Sequence, residues 1–206
     1  MFVIGLTGGI GAGKTEVSNV LRALGAEVIQ ADDAARETYN RHTPGWHRIV
    51  AEFGVDVLTS QGDLDRNKLG SIVFKNKEAL QKLNAIVHPL TRLLIEQRLE
   101  RLRESGAEIV VVEIPVLVEA VREDLDWISL IDEVWVIDAD ESEVVERVQK
   151  RSRLDAEAVI ARIRSQASPQ ERFALADIII ENNGSLTELS SRMKELWDDR
   201  VIQKRK

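Results

Sequence analysis

The sequence predicts an α/β protein: a central parallel sheet of about five strands, helices packed on it, a long helical insertion and a further helical segment late in the chain. Three observations lead there. Short runs rich in Val and Ile alternate with segments of helical period. A complete glycine-rich motif lies between the first such run and the first helix. Little strand signal appears between the second run and the third, where helical spacing dominates.

The elements follow in order. Phe2 to Leu6, Glu27 to Gln30, Ile109 to Glu113, Glu133 to Ile137 and Asp177 to Ile180 read as strands buried on both faces, being short and nearly continuously apolar. Between the first two, Val17, Val20, Leu21 and Leu24 hold the spacing of one helical face, and Gly25 stops that helix. In the insertion, read as 33 to 105, Leu80, Leu83, Val87, Leu90 and Leu94 keep helical spacing, and Pro89 is expected to kink or restart the helix. Ser168-Pro169-Gln170-Glu171 has the form of a capped helix start. Ser185-Leu-Thr-Glu188 opens the last helix as a capping box, followed by the stripe Leu186, Leu189, Met193, Leu196 and Trp197. The basic end, Arg200 to Lys206, reads as a solvated tail.

Composition excludes several classes. The 206 residues include 28 Lys and Arg against 35 Asp and Glu, a formal charge of −7, which argues against a general nucleic-acid binder. The absence of cysteine removes disulfides, thiolate metal sites and cysteine nucleophiles. With 44% hydrophobic residues the chain has material for a core and does not read as disordered. The run Phe2 to Leu6 is too short for a signal peptide, and Glu113 and Pro115 interrupt Ile109 to Val118, so no segment is expected to enter a membrane. The expectation is a soluble, cytoplasmic protein.

The motif is Gly8-Gly9-Ile10-Gly11-Ala12-Gly13-Lys14-Thr15, a full G-x-x-x-x-G-K-[ST] match in a strand-to-helix turn. Glycines let the backbone bring its N–H groups around phosphate oxygens, and the new helix adds its positive end. Amides of residues 9 to 15 are expected on the phosphates, Lys14 on the β- and γ-phosphates, and the Thr15 hydroxyl on Mg²⁺. Nucleotide binding follows; the type of enzyme does not. Asn-Lys-x-Asp, the guanine signature, is absent near the late strand, where Glu181-Asn182-Asn183-Gly184 stands instead.

A small-molecule kinase needs a carboxylate near the acceptor hydroxyl and cations around the transferred group. Asp32, just past the second strand, has two readings: that carboxylate, or the N-cap of the helix that follows. Glu113 reads either as a Mg²⁺-associated acid or as a strand-end carboxylate. Residues 147 to 172 hold Arg147, Lys150, Arg151, Arg153, Arg162, Arg164 and Arg172 against Asp155, Glu157 and Glu171, which suits a lid closing over a triphosphate or a solvated charged face. His88 by itself reads as structural. A kinase for another small hydroxyl compound, and a nucleotide-dependent switch, both stay open on these residues.

The whole set resembles the dephospho-coenzyme A kinases. The resemblance rests on Leu6-Thr-Gly-Gly-Ile-Gly-Ala-Gly-Lys-Thr15, Leu24-Gly-Ala-Glu-Val-Ile-Gln-Ala-Asp32, Gly62-Asp-Leu-Asp-Arg66 with Ile72-Val-Phe74, His88-Pro89, Pro115-Val-Leu-Val-Glu119, Arg147 with Arg151, Gln166, and Ala176-Asp177 leading to Asn182. It implies a P-loop kinase of the nucleoside-monophosphate-kinase type that moves the ATP γ-phosphoryl group to the ribose 3′-hydroxyl of dephospho-coenzyme A, with ATP and Mg²⁺ bound. The nucleotide core would be 1–32, 106–141 and 175–206, the acceptor subdomain 33–105 and the lid 142–174. Asp32 would be the catalytic carboxylate, aided by Lys14 and Arg147. Gly9 to Glu16, Arg147, Asn182 and Gly184 would bind ATP. Asp32, Arg66, His88 and Leu117 would line the acceptor site. Three positions depart from the family pattern: Gln30 where Asp is usual, Val116 for Leu and Arg172 for Lys.

Overall fold

Five strands make one sheet in the computed structural model, which describes residues 1–122, 126–152 and 154–202. They are β1 (Phe2–Gly8), β2 (Glu27–Gln30), β3 (Ile109–Glu113), β4 (Glu133–Asp138) and β5 (Ile178–Glu181), in the order β2-β3-β1-β4-β5 with every neighbouring pair parallel. β1 runs two residues past the expected Leu6 because Thr7 and Gly8 pair with Val136 and Ile137. β5 starts one residue after Asp177, whose side chain turns back to accept the Val134 N–H at 2.7 Å.

Between the strands lie α1 (Lys14–Ala23), α2 (Ala31–Thr38), α3 (Pro44–Phe53), α4 (Arg66–Val73), α5 (Lys77–Glu104), α6 (Leu117–Arg122), α7 (Glu141–Arg151), α8 (Ala156–Ser165), α9 (Pro169–Phe173) and α10 (Leu186–Leu196). The chain forms two units, Met1–Gln30 with Arg101–Lys206, and Ala31–Glu100. Arg153 of the expected lid and residues 203–206 of the basic end lie outside the described residues. No helix among the described residues is long and apolar enough to cross a membrane.

In the sheet unit, alternate strand residues face one way. Ile4, Leu6, Ile109, Val111, Trp135, Ile137, Ile178 and Ile180 meet Val17 and Leu21 of α1 and Leu189 and Met193 of α10. Each such side chain contributes roughly 1.5–3 kcal/mol by leaving water. Gly25 ends α1 at φ 103° with a Schellman pair, Ala26 N–H to Leu21 O and Gly25 N–H to Arg22 O, both 3.0 Å. Ser168 and Ser185 both form the capping boxes their sequences suggest. The chain end departs from expectation at one residue: Trp197–Ile202 winds as a π-helical segment with Val201 fully buried in the core.

The helical unit packs around Ile49, Val57, Leu69, Val73, Ala79 and Val87. Thr43 caps α3, which starts with Pro44; Asp65 caps α4 by accepting the N–H groups of Asn67 and Lys68. Pro89 does not restart the helix: α5 is continuous from Lys77 to Glu104. Val87, Thr91, Ile95 and Leu99, four apart, are buried along one stripe. That burial outweighs the roughly 3 kcal/mol an interior proline costs.

Candidate active site

β1 runs to α1 on the β2 side of the sheet, whereas β4 runs to α7 and returns at β5 on the opposite side. Their C-terminal loops therefore part, and the crevice left outside the strand ends is where open α/β sheets bind ligands. The loop Gly8–Thr15 forms one wall. Gly13, at the N-cap of α1, has φ 109° and no side-chain cap; a Cβ there would lie 2.2 Å from Asn182 Nδ2. Glycine is required at that point, and the uncapped helix start leaves its first amides available to an anion. Lys14 Nζ donates to the carbonyls of Gly8 and Gly9, each at 2.9 Å, and so bridges the mouth of the loop. Thr15 and Glu16 are exposed in the first turn of α1.

Contacts from distant parts of the chain hold the loop from outside. Asn182, buried after β5, donates from Nδ2 to Ala12 O at 2.7 Å. The Ile10 N–H, expected to face phosphate, donates instead to Gln166 Oε1 at 2.8 Å. The Ala12 N–H turns inward to Gly9 O at 3.3 Å. The Arg172 guanidinium lies 3.4 Å from where a Gly9 Cβ would sit, and its Nη2 is 3.7 Å from Asp138 Oδ1. Burial pushes the Asp138 carboxyl above its usual range, against the opposing pull of Arg172. Ala167 ties this region to α6, its N–H donating to Glu119 Oε1 at 2.9 Å.

A pocket of about 470 Å³ opens beside the loop, lined by Gly9, Ile10 and Ala12, by Asp138 to Glu141 at the start of α7, and by the connection from α8 to α9. Val144, Val148 and Val159 form a small core with Ile10 and Ile163, so α7 and α8 rest on the loop through apolar contacts. Arg147 is half-buried on α7. Its Nη2 is 3.4 Å from Glu143 Oε2, and its Nη1 is buried without a hydrogen-bond partner among the described residues. Glu113, 8% exposed at the end of β3, accepts the Ser18 hydroxyl at 2.9 Å and aligns with Gln30 of β2.

The other expected site residues fall as follows. Leu117, expected to line the acceptor site, is 0% exposed at the start of α6 and offers no surface to a ligand; its aliphatic side chain is core. Gly184 is exposed beside the cap of α10, and a Cβ there would lie 2.4 Å from Glu188 Oε2. Asp32, Arg66 and His88 belong to the helical unit. Asp32 is exposed inside the first turn of α2, which begins at Ala31, so it is not that helix's N-cap. Arg66 is the exposed first residue of α4, its guanidinium 6.0 Å from the centre of the Tyr39 ring. His88 is half-buried within α5. Spacing rules gave no role to Asp138, Glu119 or Gln166; of these only Glu119 and Gln166 had any signal, through the family resemblance.

The family model for dephospho-CoA kinase matches residues 2–188. A dephospho-CoA kinase of Thermobifida fusca is 45% identical over 199 residues, covering 97% of this chain and 96% of the relative. One of Geobacter sulfurreducens is 42% identical over 200 residues, covering 97% and 99%. Among solved structures, the dephospho-CoA kinase from Campylobacter jejuni superposes with TM-score 0.71 at 28% identity, covering 96% of each chain. A shikimate kinase from Acinetobacter baumannii, at TM-score 0.55 and 16% identity over 98% of this chain and 96% of its own, shares the fold.

Proposed function

This chain belongs to the dephospho-CoA kinase family, and on that premise we propose how its residues phosphorylate dephospho-coenzyme A with ATP to give coenzyme A and ADP. The observation that carries the reading is the intact loop Gly8–Thr15 at the end of the central strand, with Lys14 across its mouth. The amides of Gly11 and of Gly13 to Thr15 hold the triphosphate, and Lys14 exchanges two backbone carbonyls for β- and γ-phosphate oxygens. Arg147, half-buried and with an unsatisfied Nη1, turns that donor to the transferred group when the lid closes. Asn182 acts through the loop by fixing Ala12, and Gly184 borders the adenine.

Asp32 accepts the proton of the ribose 3′-hydroxyl as that oxygen attacks the γ-phosphorus in line with the departing ADP oxygen. The acceptor segment, 33–105, carries the acceptor through Arg66 and His88, while 142–174 serves as the lid. Thr15 and Glu113 offer an exposed hydroxyl and a carboxylate, the hard oxygen donors that Mg²⁺ takes alongside phosphate and water. Bound Mg²⁺ would withdraw charge from the β- and γ-phosphate oxygens. The substrates are small molecules met in the cytoplasm. The net charge of −7 supports the absence of a nucleic-acid partner.

The test is ADP release from Mg-ATP with and without dephospho-coenzyme A, with the product weighed by mass spectrometry. Acceptor-dependent release with one phosphoryl group added at the 3′ position is expected. Release that ignores the acceptor would overturn the assignment.

A further inference from the structure

The connection between α8 and α9 is pinned at successive atoms. Gln166 N–H closes the last turn of α8 on Ile163 O at 3.2 Å. The next residue, Ala167, is 6% exposed; its N–H is taken by Glu119 and its carbonyl accepts from Arg172 Nη1. The Gln166 side chain thus starts from a fixed backbone and reaches a residue 156 positions away, accepting the Ile10 N–H at 2.8 Å. The turn it touches is glycine-rich, and its backbone closure, Ala12 N–H to Gly9 O, is long at 3.3 Å. A segment with that much conformational freedom binds a ligand weakly unless something orders it beforehand.

We propose that Gln166 is a positioning residue for nucleotide binding: it removes the Ile10 amide from the phosphate-facing set and fixes the first half of the loop, so that the following amides converge on a polyphosphate. The inference rests on the nucleotide-binding reading above and extends it from the loop to the lid's return connection. Glutamine suits the task because its carbonyl accepts the N–H without placing a negative charge beside phosphate. Asn182 holds the other half of the loop through Ala12, so the two amide side chains grip it at either end. Gln166 acts through backbone geometry and touches no reacting atom.

The test compares the full chain with Gln166→Met, which keeps the length and loses the acceptor. ADP affinity is measured by calorimetry, Ile10 amide exchange by NMR, and steady-state constants with both substrates. A stranded amide predicts about tenfold weaker ADP binding and faster Ile10 exchange. The KM for ATP should rise in parallel, while kcat and the KM for dephospho-coenzyme A stay within about twofold. Unchanged ADP affinity would overturn the proposal. So would a loss shared equally by the acceptor KM and kcat, which marks general loosening. If Gln166→Met fails to fold, Glu119→Ala frees the Ala167 anchor without touching the loop; weaker ADP binding is expected, and wild-type affinity counts against the clasp. ADP titration needs no acceptor. A wild-type chain inactive on dephospho-coenzyme A would therefore sink the acceptor assignment while Gln166 is still judged on its own data.

Discussion

At the scale of single residues, the site separates charges that act on phosphate from groups that shape the backbone. In the proposed reading Lys14 and Arg147 are the first kind; Asn182, Gln166 and Gly13 are the second. Replacing Lys14 by Ala is expected to reduce turnover to background, because its ammonium is the cation held across the mouth of the loop. Asp32→Asn should lower the single-turnover rate by about 10²–10⁴ while leaving ATP affinity within about twofold, as loss of a general base does. A near-normal single-turnover rate would remove Asp32 from that role. The exposure of Asp32 inside α2 frees it from capping duty, so a change in stability should not accompany the loss of rate.

At the scale of elements, helix ends are set locally and are open to local tests. Ser185 accepts the Glu188 N–H, and the Glu188 carboxylate takes the Ser185 N–H and hydroxyl in return. Those bonds, the backbone one foremost, hold the Glu188 carboxyl below its usual range. A carboxyl depressed in the folded state lends stability above its unfolded pKa and loses it as pH falls through the folded value. Ser185→Ala should cost about 1 kcal/mol near neutral pH. Thermal melts across pH should show the gap to wild type narrowing in acid; a gap independent of pH would mean the box is not closed in solution. Pro89 is the opposite case, a residue whose local cost is overridden. Pro89→Ala restores an interior N–H and should stabilise the helical unit by about 1–3 kcal/mol in urea denaturation. No gain would show that α5 already bends to relieve the ring.

At the scale of the whole molecule, strand order sets the chemistry. With β1 between β3 and β4, the phosphate loop, Glu113 and Asp138 all issue from one end of the sheet. A ligand gripped there couples to the stability of the sheet unit, since that end is built from its core strands. ADP at a hundred times its Kd should stabilise the protein by about 2.7 kcal/mol, read as a rise in the melting midpoint. No rise would mean that the loop does not bind nucleotide in the folded chain.

Strand positions and the phosphate loop were legible in the amino-acid order because each depends on neighbours in sequence. A parallel strand covered on both faces must be an unbroken apolar run, and an anion-binding turn must have glycines and a lysine at set intervals. The capping boxes at Ser168 and Ser185 were readable for the same reason, every partner lying within three residues. Other features joined residues far apart. Ile10 meets Gln166 across 156 positions and Asn182 meets Ala12 across 170, and no periodicity encodes such pairs. The burial of Leu117 was not legible because it depends on what folds over the residue, and the continuity of α5 through Pro89 because it depends on a buried stripe along the helix. Sequence sufficed wherever a short segment's own hydrogen bonds and periodicity set its structure. Tertiary packing alone decided that the Ile10 amide is taken by Gln166, because that bond is made by a side chain that only the folded chain brings alongside.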